Sequence, residues 1–254
     1  MNTSHLLLDI EGTTCPVSFV SDILFPYAST SLETYLARSQ TDPAIESLLD
    51  DAEQEWQDDG SAESKSLRLA TKADGMNRIQ AITQYLQHLI TIDRKSTALK
   101  DIQGKIWNEG FSSGELKSQL FDEAPSCLRR WHANDLTLAV YSSGSIEAQK
   151  LLYRHTTAGS LEHLFTDWFD TKTGPKKHHK SYIEIAKAMN TACHQILFIS
   201  DNGEECDAAE AAGMQTLFSL REGNPDQNPR HHEAISTLNS VDQFLGRGSS
   251  EAAR

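Results

Sequence analysis

The sequence predicts an α/β fold in which a parallel sheet is interrupted by a helical insertion. Three apolar runs have the composition of buried parallel strands, and each ends in polar residues: residues 5–10, 136–141 and 195–199. Between the first two runs, residues 18–120 show one helical pattern after another. Alternating helices and strands follow, which is typical of a doubly wound sheet.

The insertion is predicted to be entirely helical. Apolar residues recur at helical spacing over residues 18–39, where Pro26 marks a kink or a break. Residues 58–61 form a predicted turn. Further helices are predicted over residues 42–57, 74–93 and 97–108. An insertion directly after the first strand is expected at the carboxyl edge of the sheet, a natural place for a lid.

The second half of the chain completes the predicted sheet. Helices are expected over residues 125–133, 146–152, 180–190 and 208–212. Residues 163–169 are expected to form a short strand or turn, and residues 214–220 the last strand. The predicted domains are a core over 1–17 and 121–245, a helical cap over 18–120, and a disordered tail over 246–254.

Composition excludes several classes of protein. The 254-residue chain has a formal net charge of −13 and no long run of lysine and arginine, so we expect no nucleic-acid partner. No apolar run approaches the roughly 18 residues that a membrane span needs. The N-terminus lacks the basic start of a signal peptide, and the four cysteines have no CxxC spacing. We therefore expect a soluble cytoplasmic protein with reduced thiols.

Reactive side chains follow the predicted strands. An acidic residue after an apolar run is often only a turn or capping residue, so its interpretation depends on partners elsewhere in the chain. In a doubly wound sheet, the carboxyl ends of the strands lie side by side in the crevice where ligands bind. The residues expected to converge there are Asp9, Glu11, Ser142, Ser143, Lys176 and Asp201.

This set of side chains suits phosphoryl transfer. Asp9 and Asp201 offer the hard oxygen ligands that Mg²⁺ prefers, and the cation would let a carboxylate approach a phosphate dianion. Asp9 could then attack phosphorus and form an aspartyl-phosphate. Lys176 would offset the charge of the transition state, and Ser142 could donate to a phosphoryl oxygen.

The same segments resemble the four motifs of haloacid dehalogenase superfamily phosphatases, in the same order. The superfamily opens with Asp-x-Asp-x-Thr, whereas this chain has Glu11 in place of the second Asp. That departure is typical of the enolase-phosphatases of methionine salvage. The likeness to this branch covers nearly the whole chain, in the segments DIEGTTCPVSFVSDILFPYA, DRKSTALKDIQGKIW, YSSGSIEAQKLL, FDTKTGPK and ILFISDNGEECDAAEAAGM.

The resemblance implies a Rossmann-like core with a helical cap and a bifunctional enzyme. Its expected substrate is the small-molecule phosphate 2,3-diketo-5-methylthiopentyl-1-phosphate, which is first enolised and then dephosphorylated. The resemblance also implies Mg²⁺ as cofactor, a monomer, and site residues by motif position. These are Asp9, Glu11 and Asp201 for the metal, with Glu11 contributing chiefly its backbone carbonyl, and Ser142, Ser143 and Lys176 for the substrate phosphate.

Other residues near the motifs have weaker signals. We hypothesise that the Glu11 side chain is a general acid/base, while the residue that removes the proton in enolisation stays open. Glu205 could orient a metal-bound water or Lys176. His178 and His179 lack a second pair of metal-binding residues nearby, so we do not expect them to bind a metal.

Three alternatives remain open at this stage. One is a phosphatase of the same superfamily acting on another small phosphate ester, which Glu11 and the matched insertion disfavour. Another is a non-catalytic binding module, which would be expected to lose Asp9 or Lys176. The third is a response-regulator receiver domain, which an insertion of roughly 100 residues after the first strand does not suit.

Overall fold

The core of the protein is a six-stranded parallel sheet. The computed structural model describes residues 3–94 and 96–246. The strands are β1 (His5–Leu8), β2 (Thr137–Tyr141), β3 (Phe165–Phe169), β4 (Ile196–Ser200), β5 (Gln215–Ser219) and β6 (Ala234–Ile235). Their order is β3-β2-β1-β4-β5-β6, and every neighbouring pair is parallel. The predicted α/β class with a parallel sheet is confirmed.

The central position of β1 determines which residues meet at the sheet edge. Leu8, the last residue of β1, pairs with Val140 on β2 and with Ile199 on β4. Because parallel strands run in one direction, the residues that follow these three positions emerge at the same edge. The strand order also reverses between β1 and β4, which is the kind of switch point where open α/β sheets bind ligands.

Helices account for most of the remaining chain. They are α1 (Val17–Phe19), α2 (Phe25–Ser39), α3 (Pro43–Asp58), α4 (Ala62–Ala73), α5 (Arg78–Thr91), α6 (Thr97–Ser113), α7 (Ala124–Ala133), α8 (Ile146–Arg154), α9 (His179–Ala188), α10 (Gly203–Ala211) and α11 (Val241–Phe244). Short 3₁₀ turns span Glu162–Leu164, Cys193–Gln195 and Leu238–Ser240. One face of the sheet packs on α9 and α10, through Tyr182, Ile185 and Ala209 among others.

The chain divides into two compact units. The first comprises residues 1–20 and 117–254 and contains the sheet, and the second comprises residues 21–116. The predicted junctions at 17/18 and 120/121 lie within a few residues of this division. The second unit has its own apolar core, in which Trp56 and Tyr85 stack with ring centroids 5.0 Å apart. The predicted tail lies almost wholly outside the described residues.

Local signals explain where the helices of the second unit begin. The side chains of Asp42, Ser61 and Ser96 cap α3, α4 and α6, and Asn77 forms a reciprocal capping box with Gln80 at α5. Before α2 the chain makes a π-helical turn, Val20–Leu24, and Pro26 lies in the first turn of α2. Proline lacks the backbone N–H that an i→i−4 bond would need, and it lies where the π-helical turn passes into α2.

Three elements differ from the sequence prediction. Helix α4 was not predicted, because most of its residues are polar and the two that it buries, Ser64 and Thr71, carry hydroxyls. Helix α10 begins at Gly203, well before the predicted start, because Asn202 Oδ1 accepts from the backbone N–H groups of Glu204 and Glu205. The strand predicted over residues 214–220 is confirmed as β5, but the prediction that it is the last strand is wrong, since the two-residue β6 follows.

Two further features of the described residues bear on the class of protein. No helix among them is both long enough and apolar enough to cross a membrane. All four cysteines are free thiols, and three of them are buried.

Two glycines of α6 provide a matched test of packing in the second unit. A Cβ at Gly110 would lie 2.7 Å from ring atoms of Tyr27, whereas a Cβ at Gly104 would meet nothing within 4 Å. We expect Gly110→Ala to lower the free energy of unfolding by about 1–3 kcal/mol through overpacking. Gly104→Ala should raise it by about 0.5–1 kcal/mol, since alanine favours the helix. Urea unfolding measures both, and equal effects at the two positions would contradict the predicted clash.

Candidate active site

An ion pair between Asp9 and Lys176 lies at the carboxyl end of β1. Lys176 Nζ is 2.8 Å from Asp9 Oδ2, and both side chains are about nine-tenths buried. The other oxygen of Asp9 accepts a hydrogen bond from the Ile10 N–H at 2.8 Å. The carboxylate is therefore held in one orientation by a charge on one oxygen and a backbone donor on the other.

Glu205 is the second partner of the lysine. Lys176 Nζ lies 2.6 Å from Glu205 Oε2, so the ammonium bridges two carboxylates. The Ser200 hydroxyl lies within hydrogen-bond distance of both acids, at 3.3 Å from Asp9 Oδ2 and 2.9 Å from Glu205 Oε2. Of the two roles considered for Glu205, this geometry supports the orientation of Lys176.

The segment that carries Lys176 is held by three side chains donating to consecutive carbonyls. Tyr141 OH donates to Gly174 O at 2.8 Å, and Tyr182 OH donates to Lys176 O at 2.7 Å. Ser181 Oγ donates to Pro175 O, also at 2.8 Å. Because these donors come from the end of β2 and from α9, the core of the first unit determines the position of the ammonium.

Gly12 brings the turn after β1 into contact with Asp201. Its φ is +67°, and a Cβ at this position would overlap the Asp201 carboxylate. The Gly12 carbonyl accepts from Ser219 Oγ at 2.8 Å and from Asn224 Nδ2 at 3.0 Å. The turn is thus fixed against β5 and the connection after it, with the Asp201 side chain packed directly on its backbone.

The site concentrates negative charge. Burial, followed by the charge of Asp9, raises the pKa of the Asp201 carboxyl to about 8. The same two causes raise the pKa of Glu205. Burial acts to lower the pKa of Lys176, but the charges of Asp9 and Glu205 outweigh it and raise that pKa. Lys176 is therefore a permanent cation among acids that repel one another.

The two serines of the predicted phosphate site follow β2. Ser142 is buried, and its N–H donates to Phe169 O at 3.2 Å. Its hydroxyl accepts from the Gly144 N–H at 3.4 Å, whereas Ser143 is exposed. Since Val140 pairs with Leu8, Ser142 leaves the sheet beside the turn that holds Asp9.

Glu11 and Thr13 lie in the turn itself. Glu11 is partly exposed and forms a backbone bridge with Cys15. Thr13 is fully buried, and its hydroxyl has no hydrogen-bond partner among the described residues. An unsatisfied buried hydroxyl costs about 1–3 kcal/mol.

Sequence reasoning missed some residues of the site. Ser200 could have been noticed as a hydroxyl at the end of an apolar strand. Asn224 lies in an irregular connection, where no periodic pattern marks a residue as important. His178 and His179 are exposed and stack on each other at 6.3 Å, and they are not in the His/Asp cluster found among the described residues.

Comparison with known proteins identifies the family of this chain. The model of one family, haloacid dehalogenase-like hydrolase, matches residues 3–213. The chain belongs to the haloacid dehalogenase-like hydrolases. The superfamily expected from the four motifs is confirmed, and the protein is a hydrolase.

Relatives of this hydrolase indicate its branch within the family. It is 60% identical over 245 residues to Enolase-phosphatase E1 of Parasynechococcus marenigrum (strain WH8102), over 96% of this chain and 100% of the relative. It is 56% identical to Enolase-phosphatase E1 of Synechococcus sp. (strain CC9605), over 96% and 98% of the two chains. The expected similarity to enolase-phosphatases is confirmed.

A solved structure is similar along nearly the whole chain. The UTR4 protein of Saccharomyces cerevisiae matches this haloacid dehalogenase-like hydrolase with a TM-score of 0.72 and 28% identity. The match covers 93% of this chain and 98% of the yeast chain. The functions of the six site residues stay predictions.

The raised pKa of Asp201 predicts how the stability of the metal-free protein depends on pH. Between its ordinary pKa of 3.8 and its folded pKa of about 8, the folded state holds a proton that the unfolded state has released. The free energy of unfolding should therefore fall as pH rises through this window, by up to about 1.4 kcal/mol per pH unit from this group. Urea unfolding of chelator-treated protein from pH 5 to 8 measures the slope.

The matched variant for this experiment is Asp201→Asn, which cannot titrate. It should show a shallower slope than the wild type, whereas the exposed Asp101→Asn should keep the wild-type slope. An unchanged slope in Asp201→Asn would contradict the attribution of the pH dependence to Asp201.

Proposed function

We propose that the protein converts 2,3-diketo-5-methylthiopentyl-1-phosphate to the acireductone 1,2-dihydroxy-3-keto-5-methylthiopentene and phosphate, in methionine salvage. The observation that carries the proposal is the Asp9–Lys176 contact at the end of β1, in a chain whose near-full-length relatives are named Enolase-phosphatase E1. The geometry supports phosphoryl transfer, and the relatives support the choice of substrate.

In the dephosphorylation step, Asp9 is the nucleophile. One carboxylate oxygen forms a bond to phosphorus while the bond between phosphorus and the substrate oxygen breaks, and water then hydrolyses the aspartyl-phosphate. Lys176 holds Asp9 and stabilises the phosphoryl oxygens as charge shifts onto them. Ser142 and Ser143 would donate hydrogen bonds to the phosphate, through Ser142 Oγ or backbone N–H groups.

The residues present fit a bound Mg²⁺. Lys176 contacts Asp9 and Glu205, and burial together with the charges of Asp9, Glu205 and Glu11 raises the pKa of Asp201, so the carboxylates here favour a further cation. Oxygen donors alone suit Mg²⁺. Asp9, Asp201 and the backbone carbonyl of Glu11 would hold the ion, which when bound neutralises phosphate charge and polarises oxygen.

In the enolisation step a proton leaves the carbon next to a carbonyl of the substrate, and a proton is added to that carbonyl oxygen, so the enol forms with no net change in protons. Glu11 lies in the same turn as Asp9, and its side chain is one methylene longer than the Asp usual in the superfamily. We assign its carboxylate as the general acid/base that moves protons at the site. Its other task is to protonate the leaving oxygen when the phosphoester bond breaks.

The expectations of a monomer and of a cytoplasmic location accompany this proposal. An enzyme of this kind needs no partner other than its small phosphate substrate. The helical second unit, residues 21–116, is the proposed cap that the resemblance implies.

The function is tested by incubating the protein with the diketone phosphate and Mg²⁺. Ultraviolet absorbance follows the enol and the acireductone, and a phosphate assay follows dephosphorylation. We expect absorbance changes from both enolisation and acireductone formation, together with phosphate release. Phosphate release with no enol or acireductone would favour a phosphatase acting on another small ester.

Replacement of the nucleophile tests the phosphoryl step. Asp9→Asn should lower phosphate release by roughly 10⁴-fold or more, because an amide cannot form the aspartyl-phosphate. Glu204→Gln removes an exposed carboxylate that pairs with Lys177 and is the control, with expected activity near the wild type. Phosphate release at a normal rate in Asp9→Asn would show that Asp9 is not the nucleophile.

Glu11→Gln tests the acid/base assignment, since it keeps the length of the side chain and the backbone carbonyl. We expect enolisation, dephosphorylation or both to slow by roughly 10²–10⁴-fold, the usual contribution of a general acid/base. Following the absorbance and phosphate signals separately shows which step depends on Glu11. Unaltered rates in both steps would remove Glu11 from either role.

A further inference from the structure

A second cluster of metal-binding groups lies outside the proposed active site. It contains Asp207 on α10 and His231 and His232 in the connection between β5 and β6, and one ligand atom from each lies within 4.8 Å of the others. Asp207 Oδ1 is 2.9 Å from His232 Nε2 and 3.9 Å from His231 Nδ1. Ligand atoms on a tetrahedral zinc ion lie about 3.3 Å apart, given bonds of about 2.0 Å, so these distances fall on either side of that value.

The outer partners of the two histidines are an independent observation. His232 Nδ1 is 2.8 Å from Thr216 Oγ1, and His231 Nε2 is 2.6 Å from Glu210 Oε2. In each ring, the nitrogen that does not face Asp207 is bound by a polar side chain. Metal-binding histidines have this arrangement almost always, because the outer partner selects the tautomer and orients the ring.

We propose that Asp207, His231 and His232 bind a divalent transition-metal ion of the Zn²⁺ class. Imidazole nitrogen suits zinc, nickel and copper, whereas Mg²⁺ prefers oxygen ligands. This site shares no residue with the proposed Mg²⁺ site and does not depend on the proposed function.

The surroundings direct one oxygen of Asp207 towards the two histidines. Arg230 pairs with Asp207 Oδ2, so Oδ1 is the oxygen that faces both imidazoles. The His232 side chain is 1% exposed, whereas that of His231 is 61% exposed, so the site is anchored on one side and open to solvent on the other. Three protein ligands leave a fourth position for water.

The bound ion would cross-link α10 to residues 220–233. This connection also contacts the candidate active site, because Asn224 Nδ2 donates to Gly12 O at 3.0 Å and Asp226 Oδ2 accepts from the Gly203 N–H at 3.0 Å. An ion that binds the folded state alone stabilises it in proportion to the logarithm of its concentration. The expected role is therefore structural, at the edge of the sheet that supports the turn after β1.

The test is calorimetric titration of the full-length protein with Zn²⁺, after chelator treatment and in excess Mg²⁺. The titration is repeated with Asp201→Asn, which removes a ligand of the proposed Mg²⁺ site, so that Zn²⁺ binding there does not contribute. We expect one Zn²⁺ per chain in both proteins. His231→Gln should weaken binding by at least about tenfold, and Glu210→Gln, which removes the outer partner, by about tenfold or more. The matched control is the His178→Gln/His179→Gln double variant, which removes two adjacent exposed histidines and should bind Zn²⁺ with wild-type affinity.

Co²⁺ gives a second readout. A tetrahedral site should produce visible absorption bands that are present in the wild type and absent in His231→Gln. Because His231 is largely exposed, its replacement should leave the fold intact, which circular dichroism checks. Absence of Zn²⁺ binding, binding unchanged in His231→Gln and Glu210→Gln, or an equal loss in the His178/His179 control would each overturn the proposal.

Discussion

The buried contact of Lys176 with Asp9 and Glu205 is the interaction on which the rest of the site depends. Taking three charges out of water is costly, and such a group is stable only when its geometry is good and its remaining polar atoms are satisfied. Here the Ser200 hydroxyl lies against both carboxylates, and the Ile10 N–H binds the free oxygen of Asp9. Because these groups lie at the ends of β1 and β4, the register of the sheet sets the geometry of the site.

A second constraint is the close approach of backbone to side chain at Gly12. The turn after β1 must pass so near the Asp201 carboxylate that no Cβ fits, and its carbonyl is bound by Ser219 and Asn224. The turn therefore links β1, the residues after β4 and the connection after β5. This arrangement places carboxylates close together, and the resulting repulsion favours a bound cation.

Most of the fold was predictable because strong local patterns mark it. The buried strands appear as apolar runs, such as Leu6 to Leu8, which are fully buried. Helix α4 was missed because its buried residues, Ser64 and Thr71, are polar, and contacts such as the hydrogen bond from Trp56 Nε1 to Ser64 O at 3.2 Å hold it in place. The two-residue strand β6 is too short to leave a pattern, and its pairing with β5 decides that it forms.

The sequence by itself determined the α/β class, the family and the identity of the acidic, hydroxyl and basic residues after the strands, because local hydrophobicity and motif spacing are properties of the chain. Only the tertiary structure decided that Glu205 binds Lys176, that Asn224 holds the turn and that Asp207 meets His231 and His232. These contacts join residues from separate elements and irregular connections. Their distances depend on strand order and helix packing, which no local pattern encodes.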